Sequence, residues 1–77
     1  MNKLRRKDLR EITDQLETLQ ELLKELQEQE EEYRDNMPEN LQGSEKYGRA
    51  DEACINLSDA YDSLQDAIDN ITAAIEG

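Results

Sequence analysis

From Leu9 onward, apolar residues recur at alternating steps of three and four: Leu9, Ile12, Leu16, Leu19, Leu23 and Leu26, followed by Glu30 and Tyr33. Only Glu30 breaks the apolar or tyrosine character of that line. A second run steps the same way without exception: Tyr47, Ala50, Cys54, Leu57, Tyr61, Leu64, Ile68, Ile71 and Ile75. A rhythm of this kind, sustained over several heptads, predicts two coiled-coil-like helices and rejects a disordered chain. Both runs consist mostly of strong helix formers, with Gly48 the one glycine and no proline inside them. The pattern places helix one at about 3–35, a hinge at about 36–44 and helix two at about 45–76, all within a single domain.

The stretch "DNMPENLQGSEKYG" separates the two runs and holds the chain's only proline and two of its three glycines. Pro38 restricts Met37 to extended conformations, so the first helix is expected to end near Asp35 or Asn36. "PENL" suits a short turn capped by Asn36, with Gly43 as a breaker and Ser44 as the N-cap of helix two. Folding the chain back about residue 40 pairs Tyr33 with Tyr47, Leu26 with Cys54, Leu23 with Leu57 and Leu19 with Tyr61. The same register pairs Leu16 with Leu64, Ile12 with Ile68 and Leu9 with Ile71. The fold class is therefore all-α, an antiparallel two-helix hairpin.

Beside the seam of helix two, Ala53, Ala60, Ala67 and Ala74 recur every seven residues, facing Gln29, Leu22, Gln15 and Asp8 of helix one. On the opposite flank Thr13, Gln20 and Gln27 face Gln65 and Ser58. Small residues admit another helix closely, and a lone two-helix hairpin buries little surface. Self-association along Leu22 and the alanines is expected, most simply as two hairpins in an antiparallel four-helix bundle.

Charge changes the picture most at the ends and on the backs of the helices. Residues 1–10 carry five basic side chains against Asp8, whereas residues 11–77 carry four basic and nineteen acidic ones, for a total of −11. The body repels nucleic acid and anionic membrane, which argues against direct nucleic-acid binding, and attracts basic protein surfaces. Antiparallel packing brings Arg5, Arg6 and Arg10 towards Asp66, Asp69 and Glu76, so charge balance within the hairpin is expected there, the alternative being a partner or nucleic-acid contact made by the basic tip. Helix one displays Asp14, Glu17, Glu21, Glu25, Glu28 and Glu32 in an outward stripe, and helix two displays Asp59, Asp62 and Asp66. Carboxylates one turn apart repeat at about 5–6 Å, close to the spacing of phosphates on a nucleic-acid strand. Such stripes fit the basic groove of a nucleic-acid-handling protein, or they keep a small bundle soluble. Ile55 is the one large apolar residue on that outer face of helix two.

Candidate chemistry is sparse. The chain has no His and one Cys, which excludes histidine triads, Glu-x-x-His di-iron sites and the usual structural zinc sites. No phosphate-binding glycine loop or EF-hand spacing occurs. No enzyme activity, metal or cofactor is expected. Cys54 reads as a small core residue, and Glu30 as a side chain reaching solvent or a nearby base such as Arg34, Lys46 or Arg49. Tyr33 and Tyr47 are expected to close the hinge end of the core. The absence of a signal-like or membrane-spanning apolar run makes a cytoplasmic protein the default.

The hinge "NMPENLQGSEKY", with "ADEACINLSDAYDSLQDAIDNI" after it, resembles a group of small acidic proteins of Gram-positive bacteria, their phages and mobile elements. The resemblance covers roughly residues 30–72. It implies a setting in which small acidic proteins often inhibit host defence machinery, anti-CRISPR proteins among them, and it assigns no residues. Two functions follow as expectations: an acidic module that binds and inhibits a basic, nucleic-acid-handling protein, or an assembly module acting through homo-oligomerisation.

Overall fold

The computed structural model describes all 77 residues. It consists of helix α1, Lys3–Asp35, a single 3₁₀ turn at Glu39–Leu41 and helix α2, Glu45–Glu76. The helices pack antiparallel as a hairpin whose Cα atoms extend over 59 × 15 × 13 Å.

Each helix begins on a side-chain cap. Asn2, extended in backbone, accepts the Arg5 N–H on its Oδ1 at 2.7 Å and so satisfies one of the free donors of the first turn. Ser44 does the same for α2, accepting the Tyr47 N–H at 3.3 Å. The hinge differs from its expected form. Asn36 caps no turn: it closes α1, its N–H donating to the Glu32 carbonyl at 2.9 Å, and the 3₁₀ turn starts at Pro38 without a side-chain cap. No residue adopts a left-handed φ, Gly43 included, so the reversal is made by Pro38, the 3₁₀ turn and the Ser44 cap.

The α2 line lies where the periodicity puts it: Ala50, Cys54, Ile68 and Ile75 are buried and Tyr47, Leu57, Tyr61, Leu64 and Ile71 half-buried. The α1 line does so only in part. Leu9, Leu16 and Leu23 contact the seam as half-buried residues, but the other seam positions are Thr13, Gln20 and Gln27, all buried. Ile12, Leu19, Leu26 and Tyr33 remain about half exposed. Every second position of the line is thus displaced by one residue: Gln20, not Leu19, lies against Tyr61, and Gln27, not Leu26, shares a groove with Cys54. The physical reason is the width of α1's apolar face. With Leu22 it spans more of the circumference than one neighbouring helix covers, and α2 sits over the edge where Gln20 finds hydrogen-bond partners.

At the ends of the hairpin one expectation holds for Tyr47 but not for Tyr33, and another fails. Met37, only 8% exposed, fills the hinge end, while Tyr33 lies open with the Lys46 ammonium 5.8 Å from its ring centroid. The three ion pairs of the chain, Arg34–Asp35, Arg34–Asp51 and Arg49–Glu45, all lie near the hinge. None joins Arg5, Arg6 or Arg10 to Asp66, Asp69 or Glu76. Arg5 and Arg10 are exposed and gain little from being held in one geometry, because high dielectric weakens the attraction and ordering costs entropy, whereas Arg6 is half-buried with its Nε unpartnered.

Candidate functional site

The one-residue turn of α1 gives the hairpin two broad faces of opposite character. On one face, Gln20 Nε2 donates to Gln65 Oε1 at 3.0 Å and to the Tyr61 carbonyl at 3.4 Å, and Gln65 Nε2 donates to Asp69 at 2.9 Å. Nearer the hinge, Arg34 Nη1 donates to Asp51 at 3.0 Å, and the Lys24 ammonium stands 5.5 Å from the Tyr61 ring centroid. This face is closed by polar contacts between the helices. Gln27 is its weak point: Nε2 reaches Glu31 at 3.0 Å, but the buried Oε1 has no partner.

Ile12, Leu19, Leu26 and Tyr33 each precede a seam residue by one position, a rotation of about 100° about the helix axis. They therefore line the other side of the seam from Gln20. Leu22 joins them, and the five are between 46% and 57% exposed. Leu4 is eighteen residues before Leu22, about five whole turns, so it continues the same flank at 67% exposure. On α2 the corresponding flank holds Ala53 and Ala67, half-buried, and Ala60 and Ala74, exposed. Between Ile12 and Leu26 the α1 flank carries only Gln15 as a polar residue among apolar ones, with no charge.

At its hinge end this apolar face opens into a groove of about 350 Å³ lined by Tyr33, Asn36, Met37, Pro38, Leu41 and Lys46. A more polar groove of about 250 Å³ lies between Gln27, Glu31, Arg34, Cys54, Ile55, Ser58 and Asp59. Ile55 is 54% exposed at its edge.

The acidic positions Asp14, Glu17, Glu21, Glu25, Glu28 and Glu32 of α1, and Asp59, Asp62 and Asp66 of α2, are all exposed, and none takes part in an ion pair. They stand on the backs of the helices, except that Asp14 borders the apolar face, sharing a shallow groove with Gln15, Thr18 and Leu19. Glu30 is half-buried and unpaired, since Arg34 is engaged with Asp35 and Asp51 and Arg49 with Glu45. Cys54 is 4% exposed, and burial pushes its thiol pKa up, reinforced by Glu30, Glu31 and Asp51 and opposed by Arg34. No group of three acidic or cysteine side chains is arranged to hold a metal ion, and no helix is long and apolar enough to cross a membrane.

Sequence reasoning passed over Thr13, Gln20 and Gln27 as seam residues and Asn2 as a cap. The signal was present, because Gln65 and Ser58 stand opposite the glutamines at matching heptad positions. No protein-family model, curated protein or solved structure matches the chain.

Proposed function

We propose that the chain is a non-catalytic interaction module that pairs with a second copy of itself, their apolar faces forming the core of a four-helix bundle. The observation that carries this reading is the exposed line of Ile12, Leu19, Leu22 and Leu26 on a helix whose seam is filled by Thr13, Gln20 and Gln27. Contiguous apolar surface of that extent, bordered by polar residues, marks a contact surface. Each large aliphatic side chain contributes about 1.5–3 kcal/mol when fully buried, and these four have roughly half of that still to gain. Leu19→Gln with Leu26→Gln should leave the helices formed and shift the protein to monomer. Retention of the dimer by that variant would defeat the reading.

A second element is favoured by a separate observation, the nine exposed and unpaired carboxylates on the backs of the helices. In a bundle these backs remain outside, where they suit a basic protein surface. In the phage or mobile-element setting implied by the hinge resemblance, that partner is a nucleic-acid-handling host protein and the chain its cytoplasmic inhibitor. Glu21→Gln with Glu25→Gln and Glu28→Gln should then abolish binding with the dimer intact.

A further inference from the structure

We infer that the second copy docks head to tail, the open end of each hairpin lying over the hinge of the other, with Leu4 of one copy seated in the hinge groove of its partner. This rests on the pairing proposed above and adds its orientation and its end contacts.

Charge decides the orientation. At the open end, residues 1–10 and 71–77 carry five basic side chains, Lys3, Arg5, Arg6, Lys7 and Arg10, against Asp8 and Glu76, a balance of +3. At the hinge end, residues 28–49 carry seven acidic and three basic side chains, a balance of −4. Stacking two hairpins hinge to hinge places −4 beside −4 and +3 beside +3. Reversing one copy places each positive end beside a negative one. Interhelical distances of about 8–10 Å are comparable to the Debye length of about 8 Å at physiological salt, so salt weakens the interaction between these clusters without removing it, and the preference for the reversed copy is strongest at low ionic strength.

The apolar surfaces select the same arrangement. One side of the whole hairpin has a Cα outline of 59 × 15 Å, roughly 900 Å², so only a copy aligned along its full length approaches the ~800 Å² per partner that a standard specific interface buries. A second copy aligned along the full length covers it, and a head-to-tail copy carries its own Leu4 to the level of the hinge. Leu4 is the most exposed large apolar residue of the chain, and it lies on the same flank as the groove wall formed by Tyr33. The groove floor, Met37, Pro38 and Leu41, gives it apolar contact that its own hairpin does not. No such partner reaches Leu4 in the hinge-to-hinge arrangement, where two Leu4 side chains meet among ten basic residues.

The test is a distance between two hinges. Asn40→Cys on a Cys54→Ala background gives one exposed labelling position per chain, and a nitroxide there is read by pulsed dipolar spectroscopy. Head-to-tail docking predicts a label separation of about 60 Å, set by the length of the hairpin. A separation within about 20 Å, two labels at one end of the bundle, overturns the orientation and leaves self-pairing standing. Absence of dipolar coupling, with a monomeric mass in the same sample, overturns the orientation and the pairing together. Leu4→Gln reports on the groove: it should raise the dimer dissociation constant roughly tenfold or more, since both copies lose the contact. An unchanged constant would remove Leu4 from the interface.

Discussion

Gln27→Leu separates the observed seam from the one read off the heptads. Gln27 is 5% exposed, its Oε1 is buried without a partner, and its Nε2 donates to Glu31. An unsatisfied buried polar atom costs about 1–3 kcal/mol, and burying a leucine there contributes about 1.5–3 kcal/mol. Against this stands the loss of one hydrogen bond, about 0.5–1.5 kcal/mol, partly recovered because half-buried Glu31 turns to water. Gln and Leu are close in helix propensity, so the backbone contributes little. By these ranges the balance is a gain of about 1–5 kcal/mol, and even its lower end raises the Tm of a domain of this size by roughly 4–8 °C. Thermal unfolding followed by far-ultraviolet circular dichroism, at matched protein concentration, reads it directly. Were Leu26 in the seam instead, residue 27 would be a surface position, and the change would stay within about 0.5 kcal/mol. A Tm unmoved or lowered by the substitution refutes the assignment of Gln27 to the seam.

Three further outcomes follow from other parts of the molecule. The Leu19→Gln and Leu26→Gln pair should weaken dimerisation by about 4 kcal/mol across the two copies, roughly a thousandfold in Kd by sedimentation, with helicity retained. The Cys54 pKa is raised in the fold, so the neutral thiol is the form the native state favours. Its contribution is complete below the unfolded thiol pKa of about 8.5 and is lost as pH rises through the folded value. Cys54→Ala should therefore reduce the fall in Tm above about pH 8.5 relative to the parent chain, measured by unfolding scans across that range. At Gly48, within α2, an added Cβ meets nothing within 4 Å, so Gly48→Ala should stabilise by about 0.5–1 kcal/mol in denaturant titration.

The hairpin was legible because its signals are local. Pro38 ends one helix and Ser44 starts the next, and the Tyr47–Ile75 line fixes the buried side of α2. The seam of α1 was less so. Heptad periodicity identifies an apolar face, but when that face is wider than one neighbour can cover, periodicity does not say which edge is touched. Hydrogen bonding decided it here: Gln20 meets Gln65 and the Tyr61 carbonyl only when the helix turns one residue away from its most apolar line. The same rotation that buries three polar residues leaves Ile12, Leu19 and Leu26 facing outward. The acidic stripes were legible as exposed positions, since each falls opposite the seam in either pairing. At the open basic tip no ion pair forms, because the long exposed side chains of Arg5 and Arg10 need not pair with the nearest acids.

The central claim, that the apolar face is covered by a second copy, is tested most directly by sedimentation equilibrium of the intact chain over micromolar to millimolar concentration. A mass of twice the 8.9 kDa chain, falling towards 8.9 kDa on dilution, is the predicted result. A mass of 8.9 kDa at every concentration would contradict it.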